Sequence, residues 1–159
     1  MARYKETIIS ATAIAVDTAF FYLMSLAGQG FDLKRVEATL VTVGSAGAPP
    51  DQNGVLGISL ATAAGTTPAN TGTVVKGRGR YPADSTIAAT SWGTPPTFGV
   101  TAADPWQAAA SSRGGIFDNW EMPDEWEVRE GVTNGLVFVN RQNALTTPLA
   151  WKLHVEWEV

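Results

Sequence analysis

Hydrophobic and polar positions alternate strictly over residues 149–159. Leu149, Trp151, Leu153, Val155, Trp157 and Val159 fall on one side, and Lys152, His154, Glu156 and Glu158 on the other. Side chains of an extended chain point to opposite faces with period two, so this stretch predicts a strand with one dry face and one wet face. Two tryptophans on the dry face are a large apolar contribution from a single strand. Residues 32–43 repeat the pattern, with Val36, Ala38 and Leu40 opposing Arg35, Glu37 and Thr39.

Residues 18–27 read differently, as a nearly unbroken apolar run containing Phe20, Phe21 and Tyr22. Two elements fit it: a strand, or a helix capped by Asp17 or Thr18 and ended before Gly28. The aromatic-rich centre favours a strand buried on both sides. Residues 7–16 read as an extended strand or arm. Residues 54–63 and 73–81 are weaker strand patterns, and residues 86–92, 125–129 and 136–140 complete the set. Within residues 100–113, Asp104-Pro105 followed by Trp106-Gln107-Ala108-Ala109-Ala110 predicts the chain's one place for helical turns. Glycine and proline punctuate the chain at short intervals, and Asn134-Gly135 is a strong tight-turn signal because both residues accept positive φ. Many short strands with regular turns predict an all-β sandwich or barrel. At 159 residues the chain suffices for one domain. Residues 1–12 are expected to form an N-terminal arm or edge strand, and residues 13–159 a single domain.

Charged residues make up 16% of the chain, below the usual quarter. Much of the surface is therefore neutral or covered by other subunits. The net charge of −4 gives no bulk attraction to nucleic acid. The absence of cysteine removes disulfides, thiolate metal sites and cysteine nucleophiles. The start of the chain superficially follows a signal-peptide plan, but Glu6 sits in the would-be basic region and Asp17 breaks the apolar run. The apolar stretch at 19–27 is too short to span a bilayer.

Three clusters carry potential chemistry. His154, the single histidine, sits on the polar side of a strand between Lys152 and Glu156, where it reads as a surface or inter-subunit residue rather than a catalytic base. Asp118, Glu121, Asp124, Glu125, Glu127 and Glu130 surround Trp120 and Trp126. Carboxylates beside tryptophans suit a sugar site or calcium, but no calcium-loop spacing is present, and a solvated loop whose tryptophans anchor a neighbour is the plainer reading. Lys76, Arg78 and Arg80 line one face of a basic stripe ending at Tyr81. Such a stripe can meet single-stranded nucleic acid, though in an acidic chain it suits carboxylates of a partner better. No Gly-Lys-Ser or Gly-Lys-Thr phosphate loop occurs. No cofactor or metal is expected.

Three segments together carry a family likeness: residues 18–28 leading through a glycine turn into Leu33-Lys34-Arg35-Val36-Glu37-Ala38-Thr39-Leu40, then residues 126–140, then the closing Trp151 to Glu158 strand. Their order resembles the single jelly-roll (tumour-necrosis-factor-like) virion structural proteins of tailed bacteriophages. The resemblance covers both ends and about half of the chain, whereas residues 43–119 match nothing in it. It implies a jelly-roll sandwich of antiparallel strands with an extended N-terminal arm. It also implies a non-enzymatic capsid decoration (cement) protein on the virion surface, partnered by the major capsid protein and by itself as a homotrimer. Fold does not fix function. A carbohydrate-binding module, or a host-binding fibre component using Trp92, Trp106, Trp120 or Trp126 as a stacking platform, is the alternative of a different class. Interfaces favour aromatics and arginine, which makes Trp106, Trp120, Trp126, Arg78, Arg80, Tyr4 and Ile8 the expected contact residues.

Overall fold

The computed structural model describes residues 2–25, 29–44, 51–66, 69–70, 75–77, 86–100, 104–113, 127–128 and 135–159. The strands among them are β1 (Arg3–Ile9), β2 (Thr18–Met24), β3 (Phe31–Thr42), β4 (Asn53–Ala63), β5 (Ala69–Asn70), β6 (Val75–Lys76), β7 (Ile87–Ser91), β8 (Thr97–Phe98), β9 (Trp106–Ser111), β10 (Glu127–Val128), β11 (Gly135–Gln142) and β12 (Leu149–Glu158). No helix occurs among the described residues. The strands form two antiparallel sheets packed as a sandwich. Sheet 1 runs β10-β3-β12-β1-β6; sheet 2 runs β5-β7-β2-β11-β4-β8, with β9 also paired to β4. The long strands are nested: β1 pairs with β12, β2 with β11, β3 with β10 and β4 with β9.

The core lies between the sheets. Trp151, Leu153, Val155 and Trp157 of β12 face it as their alternation predicts, with Tyr4 and Ile8 of β1 and Leu33, Val36 and Leu40 of β3 beside them. Sheet 2 contributes Phe21, Leu23, Leu56, Ile58, Leu136 and Phe138. Aromatic rings pair within it: Tyr4 stacks on its ladder partner Trp157 at 6.3 Å in sheet 1, and Phe20 of sheet 2 stacks across on Trp151 at 6.2 Å. The buried Asn140 closes one end. Its Nδ2 donates to the carbonyls of Ala15 and Asn143 at 3.1 and 3.0 Å, and its Oδ1 accepts from Trp151 Nε1 at 3.1 Å. A buried carboxamide satisfied this way fixes the loops around it.

Three expectations change. Residues 106–110 are extended, because Trp106 and Ala110 point inward and β4 supplies a ladder from Asn53 to Ile58. That pairing overrides the helical preference of the alanines. Gly135 opens β11 instead of serving as a turn residue. A Cβ there would collide with the Tyr22 ring and come within 2.7 Å of the Leu23 carbonyl, so close packing requires the glycine. Asn134 lies outside the described residues. The first strand begins at Arg3, not Thr7, and pairs with β12 along its whole length.

Sheet 2 carries a second apolar layer on its outer face. Tyr22, Met24, Val137 and Val139 are buried there beneath Trp92 and Phe98, with Ala19, Ala61 and Ala64 at the margins. The chain between β4 and β9 supplies this cover.

Candidate functional site

The two outer faces of the sandwich concentrate the polar chemistry. On sheet 1 the register sets Arg3, Lys5, Thr7 and Ile9 of β1 beside Glu158, Glu156, His154 and Lys152 of β12, and those beside Asp32, Arg35, Glu37 and Thr39 of β3. A register shift between Glu156 and Trp157 lets Leu33 and Val36 both face inward, and it places Lys34 and Arg35 together outside. Glu156 accepts from three directions: Arg3 at 3.8 Å, Arg35 at 3.6 Å and His154 at 3.2 Å. Glu158 meets Arg3 at 3.1 Å and Lys34 at 3.7 Å, and Arg35 also pairs with Glu37. Partly exposed pairs of this kind contribute about 0–1 kcal/mol each. Their effect is a polar face on which Arg3, Lys34 and Arg35 are paired with carboxylates of the same sheet, while Lys5 and Lys152 stay exposed.

Sequence reading did not single out Thr7, whose Oγ1 lies 2.7 Å from His154 Nδ1. A Thr7–His154–Glu156 line results, formally a hydroxyl, a base and a carboxylate. Acyl transfer also needs donors aimed at a developing oxyanion and a seat for substrate. Here Thr7 and His154 are directly paired ladder residues on an open sheet face, and Glu156 is held by two arginines. The line therefore suits an ion-paired surface.

The outer face of sheet 2 is organised by Arg141. Its Nη2 donates to Asp104 Oδ1 at 2.5 Å and to the Gly99 carbonyl at 2.7 Å. Its Nε reaches Asp104 Oδ2 at 2.6 Å, and its Nη1 reaches Asp17 at 3.0 Å. The guanidinium also lies 5.1 Å from the centre of the Phe98 ring. Both the Arg141 and Asp104 side chains are buried. Burial disfavours the guanidinium's charge, but hydrogen bonds and attraction from Asp104 and Asp17 outweigh it, so its pKa lies above the ordinary arginine value. Gly57 makes room, since a Cβ there would collide with Asp104 and lie 2.7 Å from Arg141 Cγ. The clamp fastens Phe98, Gly99 and Asp104 of the covering chain onto β11. Beneath the cover, the Tyr22 hydroxyl is buried with no hydrogen-bond partner among the described residues, and burial pushes its pKa up to about 12.

The residues expected at an interface separate into two groups. Trp106, Tyr4 and Ile8 are 8%, 1% and 8% exposed and belong to the core of their own chain. Trp120, Trp126, Arg78 and Arg80 lie outside the described residues, as do the acidic residues from Asp118 to Glu125 and Glu130. Trp92, half-buried, packs against the covered patch of sheet 2. His154 sits at the surface, on the polar face expected for it. Among the described residues no group of three or more His, Asp or Glu is placed to hold a metal ion, and no helix is long and apolar enough to cross a membrane.

No family model, curated protein or solved structure matches this chain.

Proposed function

We propose that this protein is a non-enzymatic structural component of a tailed-phage virion, a decoration protein that docks on the capsid surface as a homotrimer and stabilises it. The observation that supports the reading is the nested pairing of β1 with β12, β2 with β11, β3 with β10 and β4 with β9. A long antiparallel hairpin folded over on itself gives this nesting, with strand orders 1-12-3-10 in one sheet and 2-11-4-9 in the other. This nesting supports reading the sandwich as a jelly roll. It agrees with the virion-protein resemblance of residues 18–40, 126–140 and 151–158.

Two further features fit a protein whose role is contact. The outer face of sheet 1 pairs Arg3, Lys34 and Arg35 with its own carboxylates and leaves Lys5 and Lys152 exposed for a partner's carboxylates. On sheet 2 a buried clamp ties Gly99 and Asp104 of the covering segment to β11. The segment expected as an N-terminal arm or edge strand contains β1, which pairs with β12 and β6.

The test is to mix purified protein with capsids lacking it and sediment the mixture, while measuring the solution mass of the free protein. Saturable co-sedimentation at a fixed ratio to the major capsid protein, with a trimeric mass, is the expected result. A monomer that stays in the supernatant at micromolar concentration overturns the proposal.

A further inference from the structure

Among the described residues, β4, β9 and the end of β11 line an open cleft of about 380 Å³ on sheet 2. Its floor is Val55 and Ala109, directly opposed in the β4–β9 ladder and therefore on one face. Asn53 and Ser111, the next opposed pair on that face, form one wall. Gln142 and Asn143 form the other. The register shift after Asn140 brings Gln142 opposite Val55, and Asn143 turns back with φ 57, a conformation asparagine tolerates. Asn143 Nδ2 donates to the Asn53 carbonyl at 3.1 Å, tying the walls together. The carboxamides of Asn53 and Gln142 make no hydrogen bond to a described residue.

The lining carries no charged side chain. It offers carboxamides, each both donor and acceptor, and one hydroxyl, around a lining that is otherwise mostly apolar. Phosphates and carboxylates find no counter-charge there. A pyranose ring matches both surfaces: its C–H face suits Val55 and Ala109, and its hydroxyls suit paired donor and acceptor amides. The volume falls near the lower end of the roughly 300–1,000 Å³ typical of ligand sites, enough for one or two sugar units. We propose that this cleft is a binding site for a neutral saccharide unit. The inference rests on β4, β9 and β11 alone and stands apart from the capsid reading. With no aromatic ring in the lining, the expected affinity is weak, a dissociation constant of roughly 1–10 mM.

Nitrogen-15-labelled protein titrated with glucose, galactose, mannose and N-acetylglucosamine tests it, with glucose 6-phosphate and acetyl-trialanine amide as controls. At least one neutral sugar should shift the side-chain amide signals of Asn53, Gln142 and Asn143 saturably. Gln142→Ala and Asn53→Ala should each weaken that binding about fivefold or more with melting unchanged, and Ala109→Phe should fill the floor and abolish it. The proposal is overturned if none of the four sugars gives a saturable shift by about 50 mM, if the phosphate sugar or the peptide amide binds more tightly than every neutral sugar, or if the shifts centre on Trp92 instead.

Discussion

The two outer faces of this sandwich solve the same problem in opposite ways. Sheet 1 turns a polar face outward and pairs Arg3 and Arg35 on it with Glu156 and Glu158. Sheet 2 turns Tyr22, Met24, Val137 and Val139 outward and hides them under its own chain, held by the buried Arg141–Asp104 clamp. An exposed ion pair trades solvation it largely keeps, whereas a buried one stands only while both partners are present. A polar interaction should therefore weigh several-fold more in the sheet 2 clamp than on the sheet 1 face.

Removing residues 2–9 should have the largest effect, because β1 carries Tyr4 and Ile8 into the core while displaying Arg3 and Lys5 outside. Loss of the cooperative thermal transition is the expected result. A truncated domain that melts like the parent would make this strand a dispensable arm and leave sheet 1 with a different inner boundary. Next comes Arg141→Ala, which strands the buried Asp104 and should destabilise by about 3–5 kcal/mol in a denaturant titration. A loss under 1 kcal/mol would erase the contrast between the faces.

The covered tyrosine gives a pH signature. Tyr22 ionises near 10.0 when unfolded but near 12 when folded, so the native state holds its proton where the unfolded state does not. Its ionisation leaves stability unchanged below pH 10 and lowers it by up to about 2–3 kcal/mol as pH rises from 10 to 12. Tyr22→Phe should flatten that part of the curve and be near neutral at pH 7, since the lost hydroxyl had no partner among the described residues. Gly57→Ala should cost about 1–3 kcal/mol by crowding Asp104 and Arg141. Glu156→Gln should cost the least, about 1 kcal/mol or less, and the loss should shrink in high salt. If it rivals Arg141→Ala, the sheet 1 network is acting as a buried one.

Where one face met water, the pattern was legible. The alternation at 149–159 named every inward residue of β12, and the apolar run at 18–27 identified a strand buried on both sides, with Phe21 and Leu23 facing the core and Tyr22 and Met24 the cover. Alternation failed where the backbone left its period. The shift that puts Lys34 and Arg35 on one side has no compositional mark, and neither does the strand conformation of Trp106–Ser111, which depends on its β4 partner.

By itself the sequence determined the class of the molecule, its strand-rich sandwich and the polarity of each face of β12, because period and composition are local properties. Tertiary structure alone decided what meets across distance. Thr7 reaches His154 and Arg141 reaches Asp104 and Asp17 only because antiparallel registers bring together residues 147, 37 and 124 positions apart. The saccharide cleft likewise combines β4, β9 and β11, whose polar residues look like ordinary turn-flanking positions when taken one at a time. Registers are set by the summed burial of whole strands, and no short window of sequence contains that sum.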